Sequence, residues 1–178
     1  MEKLFYTDKS AFINTESAIL YLIERYFNIN TAEIYRSEHG KPFLRCEKRL
    51  FVSVAHTDSL LFIAFSSENL GIDAERLDRT VHYPPILRKF PENERNLVRS
   101  QEDFLRLWTV KESAIKYLGG RITHGITELC YQNQRIFYRD IELPVSLRQL
   151  TVDGHVVSVC SERDFSTVVP IRFIHSIT

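Results

Sequence analysis

The sequence predicts an α+β protein made of two halves, each packing a helix against a sheet, that meet near Arg79. Three observations carry this reading. Segments with the period-two alternation of strands flank a block, from Pro84 to Leu118, with helical periodicity. The 178 residues are 44% hydrophobic and 12% aromatic, enough for a buried core. No repeat and no low-complexity linker separates the halves.

In chain order, "KLFYT" (Lys3–Thr7) reads as a first strand. Thr15 or Asn14 caps a helix running to about Phe27, with Ala18, Leu20, Tyr21, Leu22 and Ile23 as its apolar side. "AEIYR" is a strand, and "HGKP" is a turn built on Gly40 and Pro42. "RLFVSVAHT", "LLFIAFS" and "LGIDAER" are three strands at hairpin spacing, read as a meander. Then come "PPILRKF", "PENERNLVRS" with Pro91 in its first turn, and "QEDFLRLWTVKESAIKYL", which Gly119–Gly120 ends. Strands resume at "ITELCYQ", "RIFYRD", "VSLRQLTV", "HVVSVCSE" and "TVVPIRFI".

Charge and cysteine usage exclude several classes. Lys plus Arg and Asp plus Glu both total 23, so bulk attraction to nucleic acid or an anionic membrane is not expected. Any anion site must be local. Cys46, Cys130 and Cys160 form neither a disulfide framework nor a zinc-type pair, which fits a reducing compartment. "MEKLFYTDKS" does not read as a signal peptide. The longest apolar run, Leu60–Phe65, is too short to span a bilayer. A cytoplasmic, soluble protein is expected.

Three places invite chemistry. In "LGIDAER", alternation sends Asp73 and Glu75 to the same strand face, about 7 Å apart at Cα, where both reach one hard cation. Read alone, this is more readily a half-buried strand with a solvated acidic face. On the long helix, turning about 100° per residue puts Phe104, Leu107, Trp108, Ile115 and Leu118 on one apolar face with Lys111 in its middle. Glu112 and Lys116 stand at that face's edge, where they also read as an ordinary i,i+4 ion pair. His56 ends a strand and Lys41 sits in a glycine turn; each alone reads as structural. No phosphate-binding glycine loop and no serine-nucleophile elbow is present.

In combination the pattern is specific. G-K-P (Gly40–Pro42), F-x-x-x-x-H ending at His56, G-I-D-x-E (Gly71–Glu75) and W-T-x-K-E-S-x-x-K (Trp108–Lys116) occur in this order. Together they resemble the 4′-phosphopantetheinyl transferases, and the two-half surfactin type in trimmed form, across Gly40–Lys116. The resemblance implies two halves, residues 1–79 and 80–178, related by a pseudo-twofold with the active-site cleft between them, in a monomer. It implies magnesium-dependent transfer of phosphopantetheine from coenzyme A, the substrate, to a serine of an acyl or peptidyl carrier protein. Adenosine 3′,5′-bisphosphate leaves, and the product serves fatty acid, polyketide or nonribosomal peptide biosynthesis.

Carried over residue by residue, Asp73, Glu75 and Glu112 match the magnesium set, and Glu112 and Lys116 the catalytic pair. Lys41, His56, Lys111 and Lys116 match the coenzyme A-binding set. Two departures stand out. Ala55 precedes His56 where the surfactin type often has serine, and of the upstream arginines only Arg25 and Arg36 are candidates for the nucleotide-contacting segment. Arg88, Lys89, Arg95, Arg99 and Arg106, diluted by Glu92, Glu94, Glu102 and Asp103, are candidates for a carrier-facing rim. The alternative is a non-catalytic relative that binds coenzyme A or a carrier protein.

Overall fold

The computed structural model of the chain describes residues 2–120 and 125–173. Strand β1 (Lys3–Asp8) leads through a 3₁₀ turn to α1 (Thr15–Phe27), then β2 (Ala32–Arg36), β3 (Pro42–Cys46), β4 (Phe51–His56), β5 (Leu60–Ser66) and β6 (Leu70–Arg76). Short helices α2 (Pro84–Leu87) and α3 (Glu92–Arg95) precede the long α4 (Gln101–Leu118). Six strands follow: β7 (Leu129–Gln132), β8 (Arg135–Tyr138), β9 (Ile141–Glu142), β10 (Ser146–Val152), β11 (His155–Ser161) and β12 (Ile171–Arg172). The expected strand 167–174 is thus a two-residue element, and its Ile174 lies outside the described residues.

The helix ends follow local chemistry. Asn14 caps α1 by accepting the Ser17 amide at 2.8 Å, and Ser100 caps α4 by accepting that of Asp103 at 3.1 Å. Gly119, at φ 71°, closes α4 in the left-handed region where a side chain would be strained. On α1 the buried stripe is Ala18, Ile19, Leu22, Ile23 and Phe27, while Leu20 is 41% exposed. The 3.6-residue period selects 18/22 and 19/23 as stacked pairs and turns Leu20 outward. Leu118, expected on the apolar face of α4, is likewise exposed, beside the helix terminus.

The main layers are helix, sheet, sheet, helix. The first sheet runs β12-β1-β5-β4 and the second β10-β11-β6. Leu61, Ile63 and Phe65 of β5 face α1, in a core with Leu22, Ile23 and Phe5. The alternate residues Leu60, Phe62 and Ala64 face the second sheet, in a core with Leu70, Ile72, Ala74, Val157 and Val159. Strands buried on both faces read as continuous apolar runs, which accounts for "LLFIAF".

One strand-pairing expectation is corrected. β4 and β5 form the expected hairpin, but β6 pairs with β11 and not with β5, so β4, β5 and β6 do not form the expected meander. β6 has two packing demands, one on each face. Leu70, Ile72 and Ala74 must close the inter-sheet core, while its other face receives α4. β12 in turn runs parallel to β1. Pairing therefore crosses the Arg79 junction in both directions. No described helix is long and apolar enough to cross a membrane, and Cys46, Cys130 and Cys160 are free.

Candidate active site

The site begins with a glycine. A Cβ on Gly71 would lie 2.1 Å from the Ser113 carbonyl oxygen and 2.3 Å from the Tyr117 amide nitrogen. Only a hydrogen fits, so α4 lies on β6 at backbone contact. Asp73 and Glu75 share the Gly71 face of the strand and therefore meet the helix, and Glu112 and Lys116 meet them.

Lys116 Nζ donates to Asp73 Oδ1 at 2.8 Å and to the Val54 carbonyl at 3.2 Å. Arg79 donates to the Glu75 carboxylate. Glu112 has its pKa pushed up from 4.5 to about 7, first by burial, then by the Asp73 charge, against the pull of Lys116, with Glu75 adding to the rise. Burial likewise raises Asp73 against Lys116, and Glu75 against Arg79. Three carboxylates thus share one field with two cations, and with a pKa of about 7 Glu112 is the one that takes up and releases the proton relieving the repulsion near neutral pH.

The donor chemistry fits a hard divalent ion: three carboxylates that repel one another and face one side. As the side chains stand, Asp73 is turned to Lys116 and Glu75 to Arg79. Accordingly, among the described residues no group of three His, Cys, Asp or Glu side chains is arranged to hold a metal. Binding one would require these ion pairs to open.

Beside this cluster lies a cavity of about 340 Å³ lined by Thr15, Arg36, Lys41, Ser53, His56 and Lys116. The His56 Nε2 and the Thr15 hydroxyl are 2.8 Å apart. Desolvation pushes the His56 pKa down, and the Lys9, Lys116 and Arg36 charges add to it. In a chain of zero net charge, this is the local cation cluster that an anion site requires. Lys41 lines the cavity with its stem, but its ammonium is turned onto Asn69 Oδ1 (2.8 Å), the Leu70 carbonyl (3.0 Å) and the Tyr117 carbonyl (3.4 Å). Burial brings its pKa down to about 8.

Lys111, expected in the coenzyme A-binding set, is not among the residues that line this cavity. Its side chain is 1% exposed and paired with the fully buried Glu94 at 2.7 Å. A lysine in the middle of an apolar face must find a buried counter-ion or snorkel to the rim. Here α3 supplies the counter-ion. Composition and spacing did not reveal Glu94, Thr15, Ser53 or the placement of Arg36. Arg36 had one legible signal, its position just upstream of the "GKP" turn, where it donates to the Gly40 carbonyl at 3.1 Å. Arg25 lies in the last turn of α1, outside the lining of this cavity.

Comparison with known proteins bears on the same segments. Residues 69–160, more than half of the chain, match the family described as the 4′-phosphopantetheinyl transferase superfamily. Over 137 residues, 71% of this chain and 56% of the relative, there is 29% identity to 4′-phosphopantetheinyl transferase gsp of Aneurinibacillus migulanus. Two Bacillus subtilis proteins, 4′-phosphopantetheinyl transferases ffp and Sfp (the latter from strain 168), are each 26% identical. The ffp match covers 80% of this chain and 69% of the relative; the Sfp match covers 79% and 68%. The match to the first of these relatives thus spans little more than half of that protein's length.

Proposed function

This chain belongs to the 4′-phosphopantetheinyl transferase superfamily, and on that premise we propose that it moves the 4′-phosphopantetheine group of coenzyme A onto a serine of an apo acyl or peptidyl carrier protein. In this reading it is a cytoplasmic monomer that releases adenosine 3′,5′-bisphosphate. Residues 1–79 and 80–178 are its two halves, related by an approximate twofold. The helix–sheet–sheet–helix layering supports that symmetry, with α1 on one outer face and α4 on the other.

The observation that carries the proposal is Lys116. Its ammonium contacts both Asp73, in the carboxylate cluster, and the Val54 carbonyl, two residues before His56 at the cavity. A pyrophosphate running from the cavity to the cluster would pass this lysine. His56, Arg36 and Lys116 would receive the nucleotide end, with Lys41 holding the turn beneath it. Asp73, Glu75 and Glu112 would hold magnesium, which when bound supplies charge neutralisation for the pyrophosphate oxygens. Phosphoryl transfer then asks the chain for alignment and charge, not for a covalent intermediate. Glu112, with a pKa near neutrality, takes the serine proton through one carboxylate oxygen. Lys116 turns from Asp73 to the phosphate oxygens and neutralises the leaving group's charge.

The test is direct: incubate the protein with coenzyme A, magnesium and an apo carrier protein, and weigh the carrier. The expected result is a mass gain of one phosphopantetheine. Asp73→Ala should abolish transfer and leave the fold intact. Near-normal turnover of that variant at saturating magnesium would remove Asp73 from the site.

A further inference from the structure

Helix α4 presents Glu112 and Lys116 to β6, and the direction of both depends on its rotation about its own axis. Successive helical residues diverge by about 100°, so Lys111 leaves the helix on a different side from Glu112. Its ammonium donates to Glu94 Oε2 at 2.7 Å, to Glu94 Oε1 at 3.0 Å, and to the Leu129 carbonyl. Glu94 Oε1 also accepts the Tyr131 amide at 2.6 Å. The Phe90 ring centre lies 4.8 Å from the ammonium. Helix α3, strand β7 and helix α4 are thereby joined at one point, within a pair whose side chains are 1% and 0% exposed.

Stability does not explain such a pair. Desolvating two charges offsets most of their attraction, and apolar residues of similar volume commonly fold as well. What an apolar pair lacks is direction. Charge-assisted hydrogen bonds fix an angle, whereas apolar contacts tolerate sliding. Glu94 is also fastened to the β7 backbone, so the angle is referred to a strand and not only to a neighbouring short helix.

We infer that Glu94 and Lys111 are positioning residues for the active site, holding α4 in the rotation that aims Glu112 toward Asp73 and Glu75. Neither residue touches the reacting atoms. Only the kinetic part of the test rests on the transfer activity proposed above.

Trp108, the one tryptophan of the chain, lies one helical turn before Lys111. Its ring is stacked on Phe90 at 6.5 Å, the same ring that lies against the Lys111 ammonium. Its near-ultraviolet circular dichroism therefore reports the rotation of α4 without any substrate.

The experiment compares wild type, the apolar double variant Glu94→Leu/Lys111→Met, and Glu94→Gln, which keeps shape and an acceptor oxygen. The double variant should unfold cooperatively, show an altered Trp108 band, and lose about ten- to hundredfold in kcat, with KM for coenzyme A within about threefold of wild type. Glu94→Gln leaves the buried Lys111 charge without its counter-ion and should unfold at lower denaturant, yet while folded it should keep the band and keep kcat within about threefold through its remaining hydrogen bonds. A folded double variant with wild-type band and kcat overturns the inference. So does Glu94→Gln with a wild-type band and lost kcat, since charge and not orientation would then be responsible. Should the double variant fail to fold, Glu94→Gln decides by the same criteria. A wild type that transfers nothing refutes the proposed activity instead, and the Trp108 comparison still decides the positioning role.

Discussion

At the scale of single residues, Glu112 carries the sharpest consequence. Coordination to a divalent ion lowers a carboxylate's basicity, whereas burial beside Asp73 and Glu75 raises it to about 7. The two effects oppose one another, so a shared ligand and base need not be a weak base. In metal-free protein the second acts alone. A carboxylate whose folded pKa is raised from 4.5 to about 7 contributes stability that is fully present below 4.5 and is lost as pH rises through about 7. Glu112→Gln, uncharged at every pH, should therefore stabilise the chelator-treated protein at pH 8 by up to about 3 kcal/mol, and by almost nothing at pH 4. Urea unfolding across that range measures the difference; a difference independent of pH would show that Glu112 is not held in a repulsive field. The same variant keeps the side-chain shape and one coordinating oxygen. Coenzyme A binding should stay near normal while most turnover disappears. Turnover that survives and merely requires more magnesium would make Glu112 a ligand only.

At the scale of elements, the decisive contact is β6 against α4 at Gly71. The atoms a Cβ would strike, the Ser113 oxygen at 2.1 Å and the Tyr117 nitrogen at 2.3 Å, are backbone and have no rotamer to change. Gly71→Ala must lift the helix from the strand. It should cost about 2–4 kcal/mol in denaturant unfolding and separate Glu112 from Asp73, lowering kcat as well. Full stability in Gly71→Ala would mean that the helix has room to move. These two elements also show what the sequence made legible. The end of α4 at Leu118 was readable because Gly119–Gly120 is a local stop signal; the Ser100 cap at its start emerged only in the structure. The shared face of Asp73 and Glu75 was readable because it needs only the two-residue period of a strand. The partner of β6 was not, since pairing with β11 joins residues as far apart as Leu70 and Ser161 and is settled by the inter-sheet core. The surroundings of Lys111 were not legible for a related reason: its counter-ion Glu94 sits 17 residues earlier, on a four-residue helix that no periodicity marks.

At the scale of the whole molecule, zero net charge hides an uneven surface. The helices between Pro84 and Leu118 read in sequence as basic residues diluted by acidic ones, and folding removes most of the dilution. Glu94 is buried against Lys111, Asp103 accepts the Arg99 and Ser100 amides at 3.0 and 2.8 Å, and Glu102 is paired with Arg106 at 2.8 Å. Arg88, Lys89, Arg95 and Arg99 remain exposed, with Glu92 as the nearby exposed carboxylate on α3, and Leu97 stands 56% exposed among them. An acidic carrier surface would find here a local positive field with an apolar contact at its centre. The cations that act on His56 at the cavity are instead Lys9, Lys116 and Arg36, none of them among these exposed rim residues. The two surfaces are therefore separable by mutation. Arg95→Glu/Arg99→Glu should raise KM for the carrier by about tenfold at low ionic strength and leave KM for coenzyme A unchanged, the effect shrinking as salt screens the charges. Steady-state kinetics with each substrate varied in turn reads both constants. A rise in the coenzyme A constant alone would move carrier docking off this face, and a carrier effect insensitive to salt would assign it to Leu97 and its apolar surroundings rather than to the arginines.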